Sequence, residues 1–155
     1  MNILRYFIFL LYLIIAIRVN AADVEISGTQ ATREDLQDSS TLTISGTLDG
    51  DLNNIVRGYI AAGNEIDNAT VVVDSGGTIQ GQSNAIMGRE TDSLTVINSG
   101  TIEATSSKAI QLRDSQNATI TNKSGGTIFA NTNAIVQQSA GTEDAENTTI
   151  TNAGT

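Results

Sequence analysis

The chain carries short bursts of β-branched residues with a strict two-residue alternation, separated by polar stretches. "TVVV" at 70–73, "TVIN" at 95–98, "TITN" at 119–122 and "TITN" at 149–152 all follow this pattern. Val71, Val96, Ile120 and Ile150 fall on one face of each burst, and Thr70, Thr95, Thr119 and Thr149 on the other. Side chains alternate across a strand, and branching at Cβ suits the pleat while costing rotamer freedom in a helix, so each burst predicts a strand of four or five residues. The same register carries Asn98, Asn122 and Asn152 to one corner, with Val73 in their place in one unit.

The bursts belong to a longer repeat. Aligning on Gly-Thr followed by Ile or Leu marks Gly46, Gly77, Gly100, Gly126 and, where the phrase begins again at the last residues, Gly154, with spacings of 31, 23, 26 and 28 residues. After the middle three come "NAI" at 84–86, "KAI" at 108–110 and "NAI" at 133–135, while the first unit offers the weaker "GYI" at 58–60. Each unit therefore holds three short strands joined by connections too small for helical crossovers. Such units bury their apolar faces only by stacking, which predicts an all-β, right-handed parallel β-helix of about four coils over residues 41–155, the hand following the general crossover preference.

Like residues then sit over like at about 4.8 Å. Ile79, Ile102 and Ile128 form one interior ladder, which Leu48 can begin, and Ile86, Ile110 and Ile135 form another. Asparagine amides are expected to hydrogen-bond along the corner, and each glycine before threonine to supply a bend or an unusual backbone angle. "MGRETDS", "QLRDSQN" and "VQQSAGTEDAEN" differ in length and predict loops leaving one edge. Residues 22–40 lack the phrase and are read as a cap over the first coil, with a short helical turn as one option. "DLNNIVRGYIAAGNE" stays open between strand and helix. The last phrase ends bare at Thr155, so we expect a piece of something longer, or a stack continued in a partner chain.

The first residues form an address rather than a fold. Arg5 precedes an unbroken apolar run of twelve, Tyr6 to Ile17, and Val19-Asn20-Ala21 leaves small residues for a signal peptidase. Twelve helical residues span about 18 Å against a hydrocarbon core of about 30 Å, so residues 1–21 are a signal peptide rather than an anchor. Cleavage exports the chain through the inner membrane to the periplasm, cell surface or medium, with nothing left in it to span a membrane.

Cleavage also removes Tyr6, Phe7, Phe9, Tyr12, Arg5 and Arg18. All 17 acids then face six basic residues, a formal charge of −11. That charge repels phosphate backbones and anionic lipid, so we expect no nucleic-acid partner, and a membrane surface is a poor candidate. Many small exported domains lean on disulfides, yet cysteine is absent, as are histidine and proline. Order must come from stacked Ile, Val, Leu and Ala.

At "TITNKSGGTI", "NAI" and "TITNAGT" the chain resembles the repeats in passenger domains of bacterial autotransporters, which read Thr-Ile-x-Asn-x-Gly-Thr-Ile followed by Gly- or Asn-Ala-Ile. The resemblance covers about residues 41–155. It implies the same β-helix and an origin at the cell surface and outer membrane, as an adhesin or stalk. Passengers include adhesins, proteases, esterases and toxins, so it specifies fold more than function. The family's C-terminal membrane barrel has no counterpart in these residues.

The residue types exclude much chemistry. Without histidine or cysteine there is no Ser-His-Asp triad, thiol protease or usual zinc site, and we expect no cofactor and no metal. "DGD" at 49–51 lacks the other ligands of a calcium loop. Parallel β-helices do host pectin-degrading enzymes that use Asp and Arg on one coil face. The candidates for such a polysaccharide lyase or hydrolase are Asp49, Asp51, Asp92 and Asp114 with Arg89 and Arg113. Arg89-Glu90 and Arg113-Asp114 occupy matching places in successive units, which marks either a groove or ordinary solvated charges. As binding candidates we take Arg89, Arg113, Asp114 and Tyr59, the last as a sugar platform. The threonine ladder could dock a glycan or protein of a host or neighbouring cell, although threonine is also simply a good exposed strand residue. Asn68, Asn117, Asn122 and Asn147 match the glycosylation acceptor, and the repeat itself accounts for them. The leading expectation is an exported structural or adhesive module without catalysis. A truncated product without a stable fold is the third reading.

Overall fold

The computed structural model describes residues 23–50, 54–58, 66–139 and 147–155. The signal segment 1–21, Asp51, Tyr59 and the end of "DLNNIVRGYIAAGNE" lie outside them. No helix occurs among the described residues, so none is long and apolar enough to cross a membrane.

The described residues wind through eighteen short strands. A first coil holds β1 (Val24–Ile26), β2 (Thr29–Gln30) and β3 (Glu34–Asp35). The second has β4 (Thr41–Ile44), β5 (Thr47–Gly50), β6 (Asn54–Gly58) and the short β7 (Ile66–Asp67). The third has β8 (Thr70–Val73), β9 (Thr78–Gly81), β10 (Asn84–Arg89) and β11 (Thr91–Asp92). The fourth has β12 (Thr95–Asn98), β13 (Thr101–Ala104) and β14 (Lys108–Arg113), and the fifth β15 (Thr119–Asn122), β16 (Thr127–Ala130) and β17 (Asn133–Gln138). β18 (Thr149–Asn152) opens a sixth.

Strands of equal rank stack into three parallel sheets, ordered β1-β4-β8-β12-β15-β18, β2-β5-β9-β13-β16 and β3-β6-β10-β14-β17, with a small fourth sheet of β7 and β11. This is a parallel β-helix with three main strands per coil. Its register is the one the repeat predicts: Ile79, Ile102 and Ile128 are partners, as are Ile86, Ile110 and Ile135. Val71, Val96 and Ile120 stack in the first sheet and are buried. Burying an isoleucine stabilises by about 1.5–3 kcal/mol, and each coil obtains this from its neighbours.

Four sequence readings change. Residues 22–40 are not a separate cap: Val24 to Ile26 pair with Leu42 to Ile44, and Ile26 and Leu36 lie in the core, so the stack begins one coil earlier than the phrase. The counterpart of "NAI" in the second coil is "NIV" at 54–56, since Val56 pairs with Ile86 while Gly58 pairs with Gly88. The stretches after "NAI" are not wholly loops. β10, β14 and β17 run on through Arg89, Arg113 and Gln138, and Leu112 points inward and is buried, because the third side of the coil needs six residues to span the core.

Finally, the glycine before threonine is required by close approach rather than by an unusual angle. Among the described glycines only Gly125 has a positive φ, of 86°. A Cβ on Gly126 would stand 2.5 Å from Asn122 Oδ1 and 2.7 Å from the Asn98 carbonyl oxygen, so the corner closes over the coil below with no room for a side chain.

Candidate functional site

Two features of the stack carry polar chemistry: a buried amide ladder inside, and a charged corner outside. The ladder comes from the register of the first sheet, which sets Asn98, Asn122 and Asn152 over one another. Asn98 Nδ2 donates to Asn122 Oδ1 at 2.8 Å, and Asn122 Nδ2 to Asn152 Oδ1 at 2.8 Å. Each amide also donates to the threonine carbonyl of the next coil, Asn98 to Thr127 at 3.0 Å and Asn122 to Thr155 at 3.2 Å. The Asn98 oxygen accepts the Gly100 N–H at 3.2 Å. Asn98 and Asn122 are buried, so these bonds remove what would otherwise be costly unsatisfied amides.

The charged corner follows the third sheet. Arg89 and Arg113 are register partners, with Gln138 next in line, so the matching places seen in the sequence do coincide in space. Each arginine lies against its own neighbour: Arg89 Nε is 3.1 Å from Glu90 Oε1, and Arg113 Nε is 3.7 Å from Asp114 Oδ2. Glu90 and Asp114 turn the chain with φ of 52° and 50°. Asp114 is buried at this turn, beside Ser115, whose Oγ lies 3.0 Å from Thr91 Oγ1. Asp92 is exposed on β11 and accepts from Asn117 Nδ2 at 2.8 Å. Asp49 stands elsewhere, on the second sheet, where it borders a shallow depression of about 70 Å³ with Gln80, Gln82 and Thr105. The structure thus brings Arg89, Arg113 and Asp114 to one edge and leaves Asp49 on another face. Tyr59 and Asp51 fall outside the described residues. Among those residues no group of three or more His, Cys, Asp or Glu could hold a metal ion.

Sequence reasoning missed a bidentate pair and a conformational ladder. Arg57, placed over Asp35 by the register of β3 on β6, reaches its two carboxylate oxygens at 2.8 and 3.0 Å. Ser39, Asn68, Ser93, Asn117 and Asn147 all take left-handed backbone, with φ between 52° and 59°, at the turn before the first-sheet strand. Asparagine tolerates this region through its short side chain, which is a physical reason for Asn in "NAT" and "NTT" apart from any glycan. A partial signal was there in the Asn two residues before three of these five threonine-led strands, with Ser at the other two. Asn117→Ala is expected to cost about 1 kcal/mol, and Asn117→Gly less, because glycine removes the strain although it also loses the bond to Asp92. Urea midpoints of the two variants check this ordering.

Comparison with family models, with curated proteins and with solved structures finds no match to the chain.

Proposed function

We propose that this chain is an exported structural or adhesive module of a bacterial surface protein, of the autotransporter passenger kind, that works by displaying its outer face. The observation that carries the reading is the unbroken register of the first sheet. Six strand levels at about 4.8 Å give a stack about 24 Å long whose outward groups repeat at fixed spacing. Thr41, Thr70, Thr95, Thr119 and Thr149 form one continuous outward row. A rod of this kind extends by adding coils without altering those already stacked, which suits a stalk. Its regular row of hydroxyl and methyl groups offers a flat, rigid surface to a glycan or protein on another cell. The signal segment read from residues 1–21 supplies the route out of the cell.

The rival reading is a polysaccharide lyase or hydrolase. It draws on the stacking of Arg89 over Arg113 with Asp114 alongside. The arginines' contacts with their own chain neighbours favour a solvated structural edge. Incubating the secreted chain with polygalacturonate and other acidic polysaccharides, and following new reducing ends and unsaturated products, separates the two. No turnover is expected. Depolymerisation that disappears in Arg113→Ala or Asp114→Ala would replace the display reading with the enzymatic one.

A further inference from the structure

Across the first sheet the side chains that point away from the core form a lattice rather than a single row. Alternate residues of a strand share a face, so each level offers two outward positions about 6.6 Å apart, and successive levels stack at about 4.8 Å. The first row is Thr41, Thr70, Thr95, Thr119 and Thr149, and the second is Thr43, Val72, Ile97, Thr121 and Thr151. Leu42, Val71, Val96 and Ile120, which lie between the rows, are buried and keep both rows turned outward.

Three properties mark this lattice. Every one of its positions is branched at Cβ, which restricts χ1 and fixes the methyl and hydroxyl groups in advance. None of them is charged, although the sequence holds 17 acids and 8 basic residues. Glu25, in register with Thr43, borders the array at the first coil. The hydroxyls are also uncommitted. The threonine hydroxyls that donate within the protein belong to Thr32, Thr91, Thr105 and Thr132, all away from this face. Among the described residues no lattice hydroxyl has a protein partner.

A ligand that suits such a face is flat, uncharged and periodic in two directions. A second copy of the chain covers too little. Two rows over about 24 Å amount to a few hundred Å², below the roughly 800 Å² per partner of a stable interface, and two acidic chains repel each other.

We propose that the outer face of the first sheet binds ice. On the faces of hexagonal ice that contain its sixfold axis, water oxygens repeat along two perpendicular directions at spacings close to those of the threonine lattice. Each methyl would sit in a hollow of the ice surface. Each hydroxyl would stand in for a water oxygen, donating to one neighbour and accepting from others. Side chains already stiff at χ1 lose little freedom on docking, and release of the ordered water over the methyls adds the hydrophobic term. A charge here would keep a hydration shell that cannot join the crystal. Val72 and Ile97 retain a branched methyl and give up only the hydroxyl. The inference rests on the display reading of this face and supplies a partner with a lattice of its own.

The test grows ice slowly from a dilute solution of the secreted chain and measures protein in the ice and in the remaining liquid. Uptake into the ice is expected, with faceted growth of single crystals just below the melting point. Thr95→Lys, in the middle of the first row, should abolish both, and Thr121→Lys repeats the comparison in the second row. Thr101→Lys makes the same change on the outward side of the second sheet and should leave both effects intact. Circular dichroism checks that each variant keeps the parent's strands. A parent chain left in the liquid overturns the proposal, as does equal loss in all three lysine variants. If the chain excluded from ice binds a glycan array, and Thr95→Lys abolishes that binding, the ice proposal falls while the display reading stands.

Discussion

Gly100→Ala is expected to destabilise the stack by about 3 kcal/mol or more, read as a lower urea midpoint with an unchanged slope. A Cβ at Gly100 would be driven into the carbonyl oxygens of Asp74 and Gly77 and would stand 3.0 Å from Val73 Cγ1. The two oxygens are backbone atoms of the coil below, so they cannot rotate away as a side chain could. The Gly77 carbonyl is also engaged, accepting the Thr101 N–H at 3.0 Å. Relief would require the two coils to part, which breaks the ladder on both sides. A loss of this size is a large share of the 5–15 kcal/mol that holds an ordinary domain together. Gly76→Ala is the internal control. Its Cβ would meet only the Ser45 carbonyl oxygen, at an ordinary 3.8 Å, and its φ is not positive. That variant should stay within about 0.5 kcal/mol of the parent, or gain slightly from a stiffer unfolded chain. If both alanines cost the same, close approach is not the reason for the glycine.

Asn98→Asp should produce a comparable loss at neutral pH and a stability that depends on pH in a way the parent's does not. The substitution preserves shape but replaces the donor with an acceptor. The new oxygen would face Asn122 Oδ1, now 2.8 Å from the amide nitrogen, and the Thr127 carbonyl oxygen, now 3.0 Å from it. Asn98 is fully buried, so a carboxylate there would be both desolvated and repelled, at a cost of several kcal/mol. Protonation restores an O–H that can donate to Asn122 Oδ1. The folded state therefore raises the carboxyl pKa above its unfolded value of about 3.9. Between the two values the folded state holds more protons than the unfolded one, so stability falls as pH rises through that window and stays low above it. The parent's other carboxylates titrate in both proteins, so the quantity to follow is the difference in unfolding free energy from pH 3 to pH 7. A difference that does not change with pH would mean the amide's donor role is unimportant.

Sequence periodicity alone determined the strand type, the parallel stacking and the interior ladders of Ile79, Ile102 and Ile128 and of Ile86, Ile110 and Ile135. It could do so because a solenoid repeats one local solution, and each residue's neighbour above is its equivalent in the next phrase. The amide corner was legible for the same reason. Where the phrase decays, that logic loses its reference. Residues 24–35 build a first coil although Gln30 follows their Gly28-Thr29 where later units have Ile or Leu, and "NIV" rather than "GYI" fills the third side of the second coil.

Only the tertiary structure decided three further matters. The glycines are needed for carbonyl groups in a different coil, which no local propensity can report. The left-handed turn at Ser39, Asn68, Ser93, Asn117 and Asn147 and the pairing of Arg57 with Asp35 depend on where the chain stands after a full circuit. The polarity of the asparagine ladder, and with it the distinction between the two ends of the cylinder, depends on which amide atom faces which coil. A sequence names an asparagine, but the direction in which it donates is set by the backbone stacked above and below it.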